Sequence, residues 1–335
     1  MSALFDPAIL FFVFGLFAGL VKSDLEIPAP IARFLSLYLL MALGLKGGFA
    51  LAESGLTLAV MASLIGAVAM ALIAPAIGYL ALRNRISRYD AAAIAASYGS
   101  VSAVTFLTAA QYLEDAGMPA GGHMAVALVL MESPAILVAV LIANALRAAG
   151  TASPTVSGGL AAADSLAHRS AGHQIGRIIH ESLTNGSHML LIGALLVGIM
   201  SGESGKAVMQ PFSIDLFKGM LAFFLLDMGL TVARNFGDAR KAPFLLIVYA
   251  VIAPLLHASI ALGLAFMLRL AAADAALLMV LSASASYIVV PAVMRQAIPE
   301  ANPALYCGLS LGITFPLNLL VGIPLYSWAA RLLLG

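Results

Sequence analysis

Ala91–Thr105 reads AAAIAASYGSVSAVT, and Ala276–Pro291 reads ALLMVLSASASYIVVP. With their flanks, both stretches are long enough to cross a bilayer. Yet Ser97, Gly99, Ser100 and Ser102 in one copy, and Ser282, Ser284 and Ser286 in the other, suit an uninterrupted lipid-facing helix poorly. Hydroxyls and glycine inside an apolar run fit a helix that breaks, freeing N–H and C=O groups to meet a ligand inside protein. The same break made twice in one chain predicts two such elements meeting at one site.

Composition places these breaks in a membrane. Of 335 residues, 62% are hydrophobic and only 10% charged, against about 25% in a soluble domain. A net charge of +1 argues against a nucleic-acid partner, and a single cysteine, Cys307, excludes an intrachain disulfide or a multi-cysteine metal site. Pro7–Val21 has no basic stretch before it and no small-residue cleavage site after it, so it reads as a retained first helix.

The expected fold is an all-α polytopic membrane protein of about ten transmembrane helices, near 7–21, 29–51, 56–82, 90–111, 122–147, 187–201, 211–233, 243–269, 273–296 and 304–331. Segments four and nine carry the breaks. The halves share features in the same order at a spacing near 185: ALGL at Ala42–Leu45 with DMGL at Asp227–Leu230, Ile73-Ala74-Pro75 with Ile252-Ala253-Pro254, then the serine stretches. Five helices per repeat is odd, so the second copy enters from the opposite side, giving two inverted five-helix repeats over 1–147 and 187–335. Between them, 148–186 is a polar linker containing His168, His173 and His180, with a short amphipathic helix expected around Ile175–Leu183. Lys22, Arg83, Arg85, Arg88, Arg147 and Arg234 follow odd-numbered segments. The linker is therefore cytoplasmic and both termini lie outside.

Each polar group at mid-membrane has a functional and a structural reading. Ser97, Ser100, Ser102 and Thr105 could coordinate a small oxyanion or Na+, or simply allow close helix packing. Ser282, Ser284 and Ser286 recur at the matching place, and a bulky residue at Ser100 or Ser284 is expected to harm binding more than folding. Glu132, centred in segment five with Pro134 two residues on, is a cation or proton ligand, or half of a structural ion pair. Thr314 and Asn318, four apart, can point two oxygens the same way. Lys46 and Asp227 are the other unusual charges. A Lys46–Asp227 or Lys46–Glu132 pair would set an ammonium where another transporter holds sodium, whereas Lys46 alone could snorkel to water. Tyr326 and Trp328 read as interfacial anchors, and Gly15 and Gly19 form a GxxxG face. No phosphate-cradling loop ending in Lys-Ser/Thr and no HExxH occurs, so an enzyme is not expected.

LGLKGGFAL at Leu43–Leu51, YGSVSAVT at Tyr98–Thr105, MESPAILVAVLIAN at Met131–Asn144, VIAPLLH at Val251–His257 and RQAIPEANPALYCG at Arg295–Gly308 together resemble the sodium-dependent bicarbonate transporter family. The resemblance covers nearly the whole chain. It implies a core domain moving against a gate domain, a homotrimer in the plasma membrane (the inner membrane of bacteria), and Na+-coupled symport of bicarbonate with no other cofactor. Some members also resemble channels controlled by a soluble PII-like protein docking on the cytoplasmic face.

This chain departs from the family pattern at several points. Tyr287, Val289 and Val290 stand where an aspartate and a Ser-Gly pair continue the second serine segment. Lys46 replaces a threonine, Glu132 an aspartate and Thr231 a glutamate. The expected substrate set is Ser97, Gly99, Ser100, Ser282, Ser284, Ser286 and Tyr287. The expected coupling set is Ser102, Thr105, Glu132, Thr314 and Asn318, the candidate Na+ ligands, with Lys46 and Asp227. Proton-coupled transport of a small monocarboxylate, or a channel or receptor regulated by a PII-like partner, are the competing readings.

Overall fold

A computed structural model describes residues 6–55, 57–151, 186–239 and 242–335. The expected linker helix around Ile175–Leu183 and its histidines fall outside these residues. Every regular element among the described residues is helical: α1 (Pro7–Leu20), α2 (Ala29–Ser54), α3 (Leu58–Leu82), α4 (Arg88–Gly99), α5 (Ala103–Asp115), α6 (Met124–Thr151), α7 (Gly186–Gln210), α8 (Phe217–Ala239), α9 (Phe244–Met267), α10 (Ala272–Ala283), α11 (Val289–Ala297) and α12 (Pro303–Leu334).

Local chemistry sets several starts. Asp6 caps α1 by accepting the Ala8 N–H at 2.8 Å, with Pro7 at the first helical position, and Asn302 with Pro303 does the same for α12 at 3.0 Å. Ser102 caps α5 through the Thr105 N–H at 3.3 Å. In α12, Pro316 removes the N–H that the Gly312 carbonyl would receive, and the helix widens to π turns at Ser310–Thr314 and Asn318–Gly322.

Seven helical runs among the described residues, not ten, are long and apolar enough to cross a membrane by themselves. The difference has physical causes. Fourteen residues make α1 about 21 Å long, short of a roughly 30 Å hydrocarbon core. The second break leaves α10 with 12 residues, while α7 and α8 run together as one span, Met189–Gly237, through a kink at Gly202 (φ 54°) and a π turn at Pro211–Asp215. The first break does not split its span: α4 and α5 together form one run, Arg88–Asp115. The protein is an all-α polytopic membrane protein with bent helices. Leu58, Ile65 and Leu72 of α3 and Ile252, Leu256 and Phe266 of α9 face outward, as lipid contact requires.

Two helix groups build the bundle. In the first, α1 lies along α8 and α2 along α7. Small residues bring these backbones together: a Cβ on Gly15 would stand 2.2 Å from the Leu226 carbonyl oxygen, and one on Gly48 2.2 Å from that of Leu195. The Gly15/Gly19 face is thus a packing seam, matched on α2 by Gly44 and Gly48. The second group holds α3 to α6 and α9 to α12, with α3 against α4 and α6, and α9 against α10. Tyr326, expected at an interface, is instead buried and donates to Asn318 Oδ1 at 3.1 Å, while Trp328 is exposed.

Side-chain contacts define the two ends of the bundle. Asp6, Glu53, Glu114, Asp115, Lys206 and Lys218 meet at one, the Asp115 end. At the other, Arg147 clamps Glu300 at 2.8 Å and the Ala297 carbonyl at 2.9 Å. The Arg147 guanidinium holds the Glu300 carboxyl below its ordinary value of 4.5. That contribution is complete above the ordinary value and is lost as pH falls through the lowered one. Protection of the amides of residues 298–302, taken as hydrogen-exchange rate relative to the intrinsic rate at each pH, should therefore hold above pH 4.5 and fall as the pH drops further, and in Arg147→Met that acid step should vanish. Gly48→Val should cost about 1–3 kcal/mol, because the Leu195 backbone must move, and a detergent-phase thermal melt would register it.

Candidate functional site

The breaks between α4 and α5 and between α10 and α11 interlock. The Ser286 N–H donates to the Ser97 carbonyl at 2.8 Å, and Ser97 Oγ donates back to the Ser286 carbonyl. The Ser102 N–H donates to Ser284 Oγ at 3.0 Å, which itself donates to the Leu281 carbonyl at 2.8 Å. Asn318 Nδ2 reaches the freed Ala283 carbonyl at 2.8 Å. Backbone groups that neither helix can satisfy internally are thus satisfied by the other break or by α12.

This accounts for several residues expected to touch substrate. Ser97 and Ser284 join the breaks to each other. Gly99 seats the Pro75 ring of α3, where a Cβ would meet ring carbons at 2.5–2.7 Å. Ser100 is buried, its Oγ 3.5 Å from the Glu132 carbonyl, and Ser282 is buried on α10 with its Oγ unpartnered among the described residues. Both Ser100 and Ser284 are buried, and Ser284 is bonded within the joint, so a bulky residue at either position would press on packing as well as on any site beside it.

A cavity of about 100 Å³ opens beside the interlocked breaks, where the two helix groups face each other. From the breaks come Ser102, Ala103, Val104, Ser286 and Tyr287, and from α6 comes Glu132. The first helix group adds Ser36 and Leu40 of α2, Ser187 and Leu191 of α7, and Phe224 of α8. The first-turn N–H groups of Ala103 and Val104 have no carbonyl one turn back within their helix, and α11 likewise starts at the wall, at Val289. Positive helix ends, hydroxyls and one carboxylate thus share a small, mostly apolar chamber. Ser36 and Ser187 were missed from sequence, since a lone hydroxyl on an apolar helix carries no pattern. Their one signal is a four-residue spacing from Leu40 and Leu191, which puts each pair on one face.

The five candidate Na+ ligands are not gathered in this cavity. Ser102 and Glu132 line it, and Glu132 is buried. Thr105 lies one turn into α5. Thr314 Oγ1 donates to the Ala250 carbonyl at 2.8 Å and meets the Tyr98 hydroxyl at 2.7 Å, while Asn318 is held between Ala283 and Tyr326. Tyr287 packs on Phe315, ring centroids 5.2 Å apart, with its hydroxyl 3.9 Å from Met228 Sδ.

Lys46 pairs with neither Asp227 nor Glu132. Its ammonium sits 2.9 Å from Glu114 and 4.8 Å from the centre of the Phe217 ring, on the wall of a larger cavity of about 340 Å³ toward the Asp115 end. Asp227 is half-buried on α8, one residue after Leu226, which crosses α1. Neither charge lines the smaller cavity.

Asn318→Leu should leave the Ala283 carbonyl and the Tyr326 hydroxyl buried without their present partner. The expected cost is about 1–3 kcal/mol per abandoned group, read as a lower melting temperature of the purified protein, and Asn318→Asp should recover less than half of it.

No curated protein matches the chain. The model of the Na+-dependent bicarbonate transporter superfamily matches residues 7–331. With that match running from α1 into the last turns of α12, and with the breaks lying inside it, the chain belongs to the Na+-dependent bicarbonate transporter superfamily.

Proposed function

We propose that this protein is a secondary active transporter that carries bicarbonate or a similar small anion across the plasma membrane, coupled to Na+. The observation that carries the reading is the smaller cavity: helix N-termini, Ser102 and Ser286 suit an anion, and Glu132 beside them suits a cation travelling with it. A chamber of about 100 Å³, well under the roughly 300–1,000 Å³ of sites for drug-sized ligands, restricts the occupant to a small ion or a short acid.

On this reading the two helix groups are gate and core domains, each assembled from both halves of the chain. The pairing of α1 with α8 and α2 with α7 supports inverted repeats over 1–147 and 187–335, because a two-fold axis exchanges one pair for the other. Ten segments result when α1, the joined α7 and α8, and the broken α10–α11 pair are counted as crossings. The Asp115 end faces outside, together with both termini, in a bacterial inner membrane, and three copies assemble. A PII-like regulator would dock at the cytoplasmic Arg147 end.

A second reading has one observation in its favour. Leu40, Leu107, Leu191 and Phe224 give the chamber an apolar wall that bicarbonate does not need and the tail of a short monocarboxylate does. In that case the carboxylate of Glu132 takes a proton in place of sodium.

Proteoliposomes with Na+ and H+ gradients imposed separately decide between them. Bicarbonate uptake driven by Na+ alone, reduced at least tenfold in Glu132→Gln, is the expected result. Uptake of acetate or propionate driven by H+ alone would establish the second reading, and absence of gradient-driven uptake for every small anion would overturn both.

A further inference from the structure

The side-chain contacts at the two ends of the bundle join different things. At the Arg147 end, the bonds seen between described residues stay within one helix group: Arg147 of α6 binds Glu300 and the Ala297 carbonyl, Asp90 of α4 accepts the Asn302 N–H at 2.7 Å, and Arg234 of α8 reaches the Leu25 carbonyl, just after α1, at 3.3 Å. At the Asp115 end two of them cross between groups. Lys46 of α2 holds Glu114 at 2.9 Å, and Lys218 of α8 holds Asp115 at 2.6 Å while reaching Asp6 at 3.2 Å. Adjacent carboxylates on the last turn of α5 are thus gripped by lysines from two helices of the opposite group.

Backbone contact lies under the first of these pairs. A Cβ on Gly122 would stand 2.2 Å from the Gly47 carbonyl oxygen, and one on Gly47 would stand 2.9 Å from that of Gly122. Gly122 follows Gly121, whose N–H is fixed by Asp274 Oδ1 of α10 at 2.7 Å, so this seat belongs to the broken-helix group. Lys46, Glu114, Gly121 and Gly122 all line the larger cavity. That cavity and the smaller one follow the same two helices, with Leu43, Lys46, Phe106 and Ala110 on one and Leu40, Val104 and Leu107 on the other.

We propose that Lys46–Glu114 and Lys218–Asp115 form an electrostatic latch that holds the two helix groups together at the Asp115 end and sets how readily that end opens toward the smaller cavity. The proposal rests on the transporter reading for its purpose, since a latch governs access to a site. Its strength suits repeated opening. These side chains keep from 19% to 45% of their exposure, and partly exposed ion pairs are weak enough to break in each cycle. When Glu114 leaves, the Lys46 ammonium still has the Phe217 ring face. Lys218 still has Asp6.

Labelling of a cysteine placed in the larger cavity tests the latch without any substrate. In full-length protein in membranes, with Cys307→Ala removing the native thiol, Ala110→Cys is the reporter and a membrane-impermeant maleimide the probe. Combined Glu114→Gln and Asp115→Asn should raise the labelling rate about three- to tenfold, the range expected for losing two such pairs. The charge exchange Lys46→Glu with Glu114→Lys should return it most of the way from the value of Lys46→Glu alone. Unchanged labelling in the neutralised variant, or an exchange no slower than the single variant, would overturn the latch. A second measurement needs no latch substitution: about 0.5 M potassium chloride should speed labelling of the reporter protein by screening both pairs, and a rate indifferent to salt counts against the proposal. Protein that labels as expected yet moves no anion would overturn the transporter reading and keep the latch, whereas active transport with indifferent labelling does the reverse.

Discussion

Breaking a helix inside a bilayer frees N–H and C=O groups where no lipid can receive them. Each group left without a partner costs several kcal/mol, and this chain breaks two helices. The cost is contained because the breaks meet: the Ser286 N–H and the Ser97 carbonyl, the Ser102 N–H and Ser284 Oγ, and the Ala283 carbonyl and Asn318 form one hydrogen-bonded joint. Everything that surrounds the joint serves it. Gly99 admits Pro75, and the π turns of α12 bring Asn318 onto Ala283 and Thr314 onto the Ala250 carbonyl. With these groups satisfied, the first turns of α5 and α11 are left lining the smaller cavity.

The first helix group, α1 with α8 and α2 with α7, sets a different requirement. Its members must stay rigid while standing beside a chamber, and glycine seams accomplish this by replacing side-chain contacts with direct backbone contact at Gly15, Gly44 and Gly48. Such seams are strong among themselves and leave the opposite helix faces free to carry Ser36, Leu40, Ser187, Leu191 and Phe224 to the cavity. A glycine-seamed wall thus stands against a hydrogen-bonded joint, with a small, mostly apolar chamber between them.

Much of this was legible because hydroxyls in an apolar run have few explanations. The two serine stretches, the break positions and Glu132 could be read one residue at a time, since composition had already placed them in a membrane. What escaped depends on pairing between distant helices. Whether a serine ties two breaks together, as Ser97 and Ser284 do, or faces a cavity, as Ser102 and Ser286 do, is decided by register across some 185 residues of chain. Tyr326 read as an interfacial anchor because tyrosines near a terminus often are. An acceptor eight residues earlier, Asn318, draws its hydroxyl inward instead. Three of the ten expected crossings fall short as single helices for equally local reasons: a 14-residue α1, a kink at Gly202 and the second break.

Lys46 and Tyr287 both stand at positions where the family pattern has other residues, which invites reading them as one compensation, an ammonium replacing a lost cation. Their placement separates them. Tyr287 fills the smaller cavity's wall against Phe315, while Lys46 lies on the larger cavity with Glu114 as its partner. A charge held at that distance by its own carboxylate contributes little field at Ser102, because the pair is neutral as a unit and its members are partly exposed to water. Glu132 is left as the one carboxylate among the chamber's lining residues. On the proposed transporter reading, a substrate anion and the Glu132 carboxylate would share one small chamber, and a cation travelling with the substrate would offset their mutual repulsion.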